Sequence, residues 1–276
     1  MRLAVSGGPD SLSMLLLCLE AGLNVTVHHV DHHARPTSTS EAQSLEQVCG
    51  QLKVPFVLHD VTVEPGENFE ARARLARRRA LPADALTGHT MDDVVETMLL
   101  NLMRGAGRAG LSPMLNNPTK PLVGVRRSDL HEWLATKPFT SVHDESNDDI
   151  RFRRNHVRHE LLPLMCKISQ RDVVPIMFRQ AVLMGQDEEW LSVLTSGDLA
   201  IGLTEADCRE LKQWPLARQR RWLRFVLSQN NDPLDTHPPS SDEVERALAV
   251  LGGEVTACEL SEGRRLSRTG QRLTLS

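Results

Sequence analysis

The sequence predicts an α/β fold: a parallel, doubly wound sheet in the first half, then a second, mainly helical region that ends in short strands. Three observations predict it. Apolar stretches of strand length alternate with stretches of helix length as far as Lys120-Pro121-Leu122, the signature of βαβ units. From Arg126 onward the alternation stops and helical periodicity takes over. The tail, 254–275, returns to the period-two pattern of strands around a glycine turn at Gly263.

Each element has its own reason. Leu3-Ala4-Val5 is short, apolar and bounded by a Gly-rich turn, so it reads as the first strand; the apolar run Ser11–Ala21 after that turn reads as a helix. A strand follows at Leu23–Val30, then a helix over Ser40–Leu52, with Glu and Gln on one side and Leu45 and Val48 on the other. Pro55–Val61 reads as a strand, Glu67–Leu81 as an Arg-rich helix, Asp84–Thr87 as a short strand and Asp92–Met103 as a helix. Beyond them, helices are expected over 128–135, 151–165, 173–194, 205–213 and 216–228, and strands within 254–260 and 271–275. Gln229 to Pro233, followed by Pro238-Pro239, is the best internal linker, and the expected domains are 1–125 and 126–276.

Composition narrows the class. With 276 residues, 40% of them hydrophobic, the chain has ample material for a core. No apolar run is long enough to span a bilayer, and Pro9 and Asp10 interrupt the N-terminal one, so neither a membrane segment nor a signal peptide is expected. The five cysteines (Cys18, Cys49, Cys166, Cys208, Cys258) are scattered and form no CxxC; this points to a reducing compartment, the cytoplasm, and away from a zinc or iron–sulfur site. The net charge of -4 argues against a generally basic surface, but arginines cluster at 72–79, 151–158 and 218–224. Separate basic patches can steer a polyanion onto one face; each cluster can equally be a solvated helix face, the favoured reading for the third. Tyrosine is absent and aromatics make up only 4%, so any stacking on bases falls to Phe, Trp, His or Arg.

Three motifs carry chemistry. Ser6-Gly7-Gly8-Pro9-Asp10-Ser11 joins the first strand to the first helix. Gly7 and Gly8 permit close backbone approach, Ser6 and Ser11 add hydroxyl donors, and the helix N-terminus presents N–H groups to an anion. The turn suits a phosphate, although it is neither a Walker turn nor GxGxxG. Asp10 inside it implies an intervening divalent cation, hence Mg²⁺. The alternative is an ordinary Gly-rich strand–helix turn.

Gly88-His89-Thr90-Met91-Asp92-Asp93-Val94-Val95-Glu96-Thr97 is the second motif. With a helix starting near Met91, His89, Asp92, Asp93 and Glu96 fall on adjacent turns of one face. At a strand end, such carboxylates can hold Mg²⁺ or an ammonium group; the plainer alternative is a capped helix whose acids complement its dipole. Asp31 stands at another strand end, and Arg104 with the loop Gly105–Gly110, including Arg108, follows the helix as a phosphate clamp or a connector. The third motif runs from Asp144 through Arg158 to Leu162-Pro163. Arg154 and Arg158 lie one turn apart on its helix and face the same way; a capped surface helix would look similar.

Ser6–Ser11 resembles the SGGxDS signature of the N-type ATP pyrophosphatases, the PP-loop family, whose sheet is of the adenine nucleotide alpha hydrolase-like type. That resemblance implies cleavage of ATP between its α and β phosphates. The chain from Leu3 to about Leu164 further resembles the tRNA(Ile)-lysidine synthase family. The likeness rests on these motifs in order, with His29-Val30-Asp31-His32 and Arg35, Glu70-Ala71 with Arg74 and Arg77, and Arg104-Gly105-Ala106-Gly107 with Gly110-Leu111. It implies that ATP adenylates the C2 carbonyl oxygen of the wobble cytidine in a CAU-bearing isoleucine tRNA, and that the ε-amine of free lysine then displaces AMP.

The same resemblance implies ATP binding by Ser6, Gly7, Gly8, Pro9, Asp10, Ser11 and Asp31, with Asp10 also holding Mg²⁺. It implies catalysis by Asp10, His89, Asp92, Asp93 and Glu96, and tRNA binding by Arg74, Arg104, Arg108, Arg154, Asn155 and Arg158. The expected partners are that tRNA and free lysine, with no membrane and with a homodimer left open. Two positions depart from the family pattern: Arg78 replaces a usual aromatic, and His33 a usual glycine. A PP-loop cytidine thiolase is the nearest alternative, but it needs clustered cysteines; an amide synthetase and an inactive tRNA-binding homologue follow.

Overall fold

The computed structural model describes residues 1–31, 38–62, 69–141, 153–203, 206–229 and 239–276. It divides into two compact units, Met1–Arg104 with Gly110–Gly185, and Gly105–Ala109 with Gln186–Ser276. The expected linker, apart from Gln229 and Pro239, and the acidic turn Asp144–Asp149 lie outside the described residues.

The first unit opens with β1 (Arg2–Ala4), α1 (Pro9–Glu20), β2 (Thr26–Asp31), α2 (Ser38–Leu52), β3 (Phe56–Asp60), α3 (Phe69–Ala80), β4 (Leu86–Thr87) and α4 (Met91–Met103). The four strands pair in parallel in the order β3-β2-β1-β4, with Leu3 opposite Val27 on one side and Leu86 on the other. Parallel strands need crossover helices that cover the sheet faces, which is why β1 and β2 carry buried apolar residues such as Leu3 and Val27. Their C-terminal ends lead to the turn Ser6–Ser11, to Asp31 and to Gly88-His89, so these three segments share one edge of the sheet.

Two glycines make that edge possible. Gly7 adopts φ 90° in the turn, a conformation costly for any side chain. A Cβ on Gly88 would stand 3.0 Å from both the Asp10 carbonyl oxygen and the Ser11 Cα. The end of β4 therefore lies directly against the start of α1.

A short helix, α5 (Arg108–Leu111), precedes α6 (Arg127–Leu134), and the first unit continues past the expected boundary at residue 125. The reason is packing. Leu130 and Leu134 of α6 are buried in the same core as Leu12, Leu15 and Leu16 of α1. Arg127, Leu130, His131 and Leu134 recur at helical spacing, so the stripe that enters the core also points Arg127 and His131 at the turn. The helix carrying Arg154 and Arg158 comprises α7 (Arg153–His156), a π-turn over Val157–Leu161 and α8 (Leu162–Ser169). Pro163 sits at the start of α8; it has no N–H to donate to His159 and its ring crowds that carbonyl, which widens the preceding turn.

The long helix α9 (Val174–Leu194) belongs in part to each unit, and α10 (Ser196–Leu199), α11 (Cys208–Leu211), α12 (Leu216–Ser228) and α13 (Ser241–Gly252) follow. An antiparallel sheet of β5 (Ala257–Glu259), β6 (Arg265–Thr269) and β7 (Arg272–Leu275) closes the second unit over Trp222, Leu223, Val244 and Leu266. Sequence reading missed α13 and β6. The signal for α13 was present in the capping box of Ser240 and Glu243; β6 has only Leu266 to mark it as a strand. Three of the four arginines of α12 pair with carboxylates, Arg218 with Asp198, Arg220 with Glu245 and Arg221 with Glu188; the Nε of the fourth, Arg224, is buried without a hydrogen-bond partner. No helix among the described residues is long and apolar enough to cross a membrane.

Gly88→Ala is expected to lower the unfolding free energy by about 1–3 kcal/mol, because the clash is with backbone. Gly50→Ala, where a Cβ meets open space within α2, is expected to be neutral or stabilising. Urea unfolding of both variants checks this; equal effects would mean that the contact between β4 and α1 is not tight.

Candidate active site

The turn is shaped by its own serines. The Ser6 N–H donates to Ser11 Oγ at 3.2 Å, Ser11 Oγ donates to the Gly8 carbonyl at 3.0 Å, and the two hydroxyls lie 3.1 Å apart. The Ser11 hydroxyl, expected as a phosphate donor, is thus used to close the loop. Gly8 is the N-cap of α1 and Pro9 opens its first turn, where a missing N–H costs nothing. The first backbone N–H groups of a helix have no intrahelical partner, which is the feature that suits such a turn to an anion. Asp31 is buried at the end of β2, and the neighbouring His29 donates from Nδ1 to the Val5 carbonyl at 2.8 Å, tying β2 to the residue just before the turn.

Opposite the turn stands a cluster of charges. Arg127 donates from Nε to Asp10 Oδ2 at 3.2 Å, from Nη2 to Asp93 Oδ1 at 2.7 Å and from Nη1 to Glu96 Oε1 at 2.8 Å. Arg158 Nε shares Glu96 Oε1 at 2.8 Å, and Arg154 Nε takes Glu96 Oε2 at 2.7 Å. Arg154 also reaches Asp93 Oδ1, at 3.0 Å. The Glu96 side chain is 0% exposed. Burial raises the pKa of both acids, but the arginines outweigh it and hold Asp93 and Glu96 below the usual carboxylate range. Burial works against the charge on Arg127 as well, and the three carboxylates around it raise its pKa instead. A carboxylate without water requires such compensation.

Asp93 has a second task. Its Oδ2 accepts from the Thr90 N–H at 2.7 Å and the Thr90 hydroxyl at 2.9 Å, completing the capping box of α4. One oxygen of Asp93 thus caps the helix while the other faces the arginines. Asp92, expected beside Asp93 and Glu96, does not join them. Its carboxylate accepts the Arg127 backbone N–H at 2.8 Å and pairs with Arg126 at 3.3 Å. It thus caps α6 from outside and fixes where Arg127 begins.

Three other expected residues stand as follows. Arg154 and Arg158, expected on tRNA, pair with the buried Glu96. Asn155, expected with them, is buried. Arg108 is exposed but pairs with Asp187; it belongs to the second unit, whereas exposed Arg104 ends α4 in the first. The side chain of Arg74 lies outside the described residues. Sequence reading missed Arg127, His131 and Lys120. His131 Nε2 lies 2.8 Å from Asp10 Oδ1, and Lys120 Nζ lies 3.0 Å from His89 Nδ1. The available signal was the stripe Arg127, Leu130, His131, Leu134 on α6, a helix that had been placed beyond the domain boundary.

A parallel sheet with a Gly-rich strand–helix turn at its C-terminal edge, facing a charged wall from α4, α6 and α7, defines an α/β class of PP-loop type, and comparison agrees. Residues 1–165 match the model of the PP-loop domain. The chain is 40% identical over 242 residues to the tRNA(Ile)-lysidine synthase of Actinobacillus pleuropneumoniae serotype 3, covering 82% of this chain and 58% of that one. It is 34% identical over 253 residues to that of Gloeobacter violaceus (82% and 75%), and 35% identical over 284 residues to that of Salmonella dublin (92% and 64%). Among solved structures, the U34-tRNA thiolase NcsA from Methanococcus maripaludis with its 4Fe-4S cluster shares the fold. It has a TM-score of 0.51 and 19% identity, covering 67% of this chain and 71% of that one. The chain belongs to the PP-loop family and, within it, to the tRNA(Ile)-lysidine synthases. It spans 58% of the length of the Actinobacillus relative.

Glu96→Ala leaves three arginines facing one another and is expected to destabilise the protein by about 3–5 kcal/mol. Glu160→Ala removes an exposed pair with His156 and is expected to cost less than about 1 kcal/mol. Urea unfolding of the two variants side by side tests this; similar costs would show that the cluster does not compensate Glu96.

Proposed function

We propose that this chain forms lysidine: ATP adenylates the C2 carbonyl oxygen of the wobble cytidine in a CAU-anticodon isoleucine tRNA, releasing pyrophosphate, and lysine then displaces AMP. The observation that carries the reading is the link from Asp10 through Arg127 to Asp93 and Glu96, which sets an amine- or phosphate-binding charge cluster against a phosphate turn.

In this reading the backbone of Ser6–Ser11 and the first turn of α1 bind the phosphates of ATP, with Asp31 at the neighbouring strand end. Mg²⁺ suits the donor set: Asp10 is a partly exposed carboxylate at the turn, and one carboxylate plus phosphates is an ordinary magnesium environment. A bound Mg²⁺ would neutralise charge on the phosphates. Arg127 and His131, which now hold Asp10, would release its oxygens for that purpose.

Arg127, Arg154 and Arg158 supply fork-shaped donors suited to the α-phosphate of the adenylate. Asp93 and Glu96 offer lysine a negative partner, but all their oxygens are engaged, so the ammonium enters by exchange with a guanidinium. The ε-ammonium gives up a proton to one of these carboxylates or to water, its nitrogen forms a bond to C2, and AMP leaves with the electron pair of the C2–O bond. The exposed Arg104 and the Arg-rich α3 are basic elements of the first unit suited to tRNA phosphates.

The thiolase alternative finds no support in the cysteines, which are dispersed over α1, α2, α8, α11 and β5. No three His, Cys, Asp or Glu gather as a metal-binding set among the described residues.

Incubation with ATP, Mg²⁺, lysine and the CAU isoleucine tRNA, followed by nucleoside mass spectrometry, is expected to show a lysine adduct on cytidine. Asp10→Ala and Arg127→Met are each expected to reduce its formation at least 100-fold, equivalent to about 2.7 kcal/mol. Pyrophosphate release without the adduct on this tRNA, and with it on another RNA, would move the substrate to a sister family.

A further inference from the structure

We propose that Lys120 is a positioning residue that locks His89 in its neutral Nε2–H tautomer, so that His89 serves the reaction as a hydrogen-bond donor and not as a base. The tautomer assignment rests on geometry alone; its part in catalysis rests on the function proposed above.

An ammonium group can only donate. Lys120 Nζ lies 3.0 Å from His89 Nδ1, so that nitrogen carries the lone pair and the ring proton of the neutral imidazole sits on Nε2. Thr87 holds the ammonium in place. Its hydroxyl, 2.9 Å from the same Nδ1, accepts from Lys120 Nζ at 3.3 Å and donates to the Thr119 carbonyl at 3.4 Å, so Lys120 is the group whose donation fixes the lone pair. Both partners are held by backbone. The His89 N–H donates to the Thr87 carbonyl at 2.9 Å, and the Thr87 N–H to the Thr119 carbonyl at 2.8 Å. Asn117 Oδ1 accepts from the Thr119 N–H and hydroxyl at 2.9 and 2.7 Å, and the Lys120 N–H reaches the Asn117 carbonyl at 3.1 Å. The segment that delivers the ammonium is a folded turn and not a loose side chain.

The groups around His89 come from every described element packed on it. Lys120 precedes α6, Arg154 lies on α7, Arg77 on α3 and Asp93 on α4. Burial is the largest influence and lowers the imidazole's proton affinity; Lys120 follows in the same sense, Asp93 opposes it, and Arg154 and Arg77 add to it, leaving the pKa at about 4. Without nucleotide, the imidazole is therefore neutral at neutral pH. Such a ring is a poor acceptor for the ammonium proton of lysine. Its Nε2–H can instead donate to a phosphate or carbonyl oxygen that gains negative charge, and it does so without a charge of its own to desolvate.

The test is ¹⁵N–¹H NMR of histidine-labelled protein without nucleotide, with the His89 signal identified by its loss in His89→Gln. The wild type is expected to show the Nε2–H tautomer and no protonation between pH 8 and pH 5.5. Lys120→Met removes a donor from Nδ1 and a positive charge. It is expected to mix the tautomers and to raise the protonation midpoint by about one unit, a tenfold gain in proton affinity; Lys120→Arg is expected to restore both. An Nδ1–H signal in the wild type, or an unchanged tautomer and midpoint in Lys120→Met, would overturn the proposal. The spectra answer whether or not lysidine is formed. Failure of the lysidine assay with the expected NMR result would leave the Lys120–His89 pair standing and remove only its place in that reaction.

Discussion

The guanidinium of Arg127 bonds Asp10, Asp93 and Glu96 at once, and much of the site follows from that threefold attachment. It joins the phosphate turn at the end of β1 to the first two turns of α4, two segments far apart in sequence. Other features serve to place it: Asp92 caps its backbone, Leu130 and Leu134 anchor its helix in the core, and His131 braces Asp10 from the next turn. Three arginines and three carboxylates compensate one another there. The arrangement is costly to assemble, because desolvated charges repay their hydration only when every partner is in place. Its effect is to keep the acids ionised and the guanidinium groups immobile at the C-terminal edge of the sheet.

The elements of this architecture were legible where the pattern is local. The alternation in the first half is the period of parallel strands and covering helices, and Ser6–Ser11 and Thr90–Glu96 declare themselves because each is contiguous. Helical spacing was sufficient to name Asp93 and Glu96 as neighbours, though it placed Asp92 with them as well, and Asp10 joined them only through the family resemblance. Arg127 was not legible in this way. It lies one residue after Arg126, and neither shows from sequence which one turns inward. That choice is made by Asp92 and by the packing of α6 on α1, both contacts between distant segments. Arg154 and Arg158 were found but not their pairing with Glu96, because a basic helix looks alike whether its arginines serve water, RNA or a buried acid. In the second unit β6 was missed because β5 and β7 supply most of what makes it a strand.

Asp93 illustrates why single readings of a motif fail. One oxygen of its carboxylate completes a capping box and the other faces two arginines, so one residue both starts the helix and charges the site. Lys120 and Thr87 act likewise: they pin the end of β4 and at the same time decide which nitrogen of His89 bears the proton. Structure and chemistry share side chains here, and a change made to either is felt by both.

The central claim is that Asp10 and Glu96, which do not touch, act as one unit through Arg127. A double-mutant cycle with Asp10→Asn and Glu96→Gln, read by urea unfolding at neutral pH, measures that coupling directly. The account predicts an interaction of about 0.5–3 kcal/mol between the two substitutions, as in a shared ion-pair network. Additive effects, within about 0.3 kcal/mol, would contradict it and reduce Arg127 to a set of independent pairs.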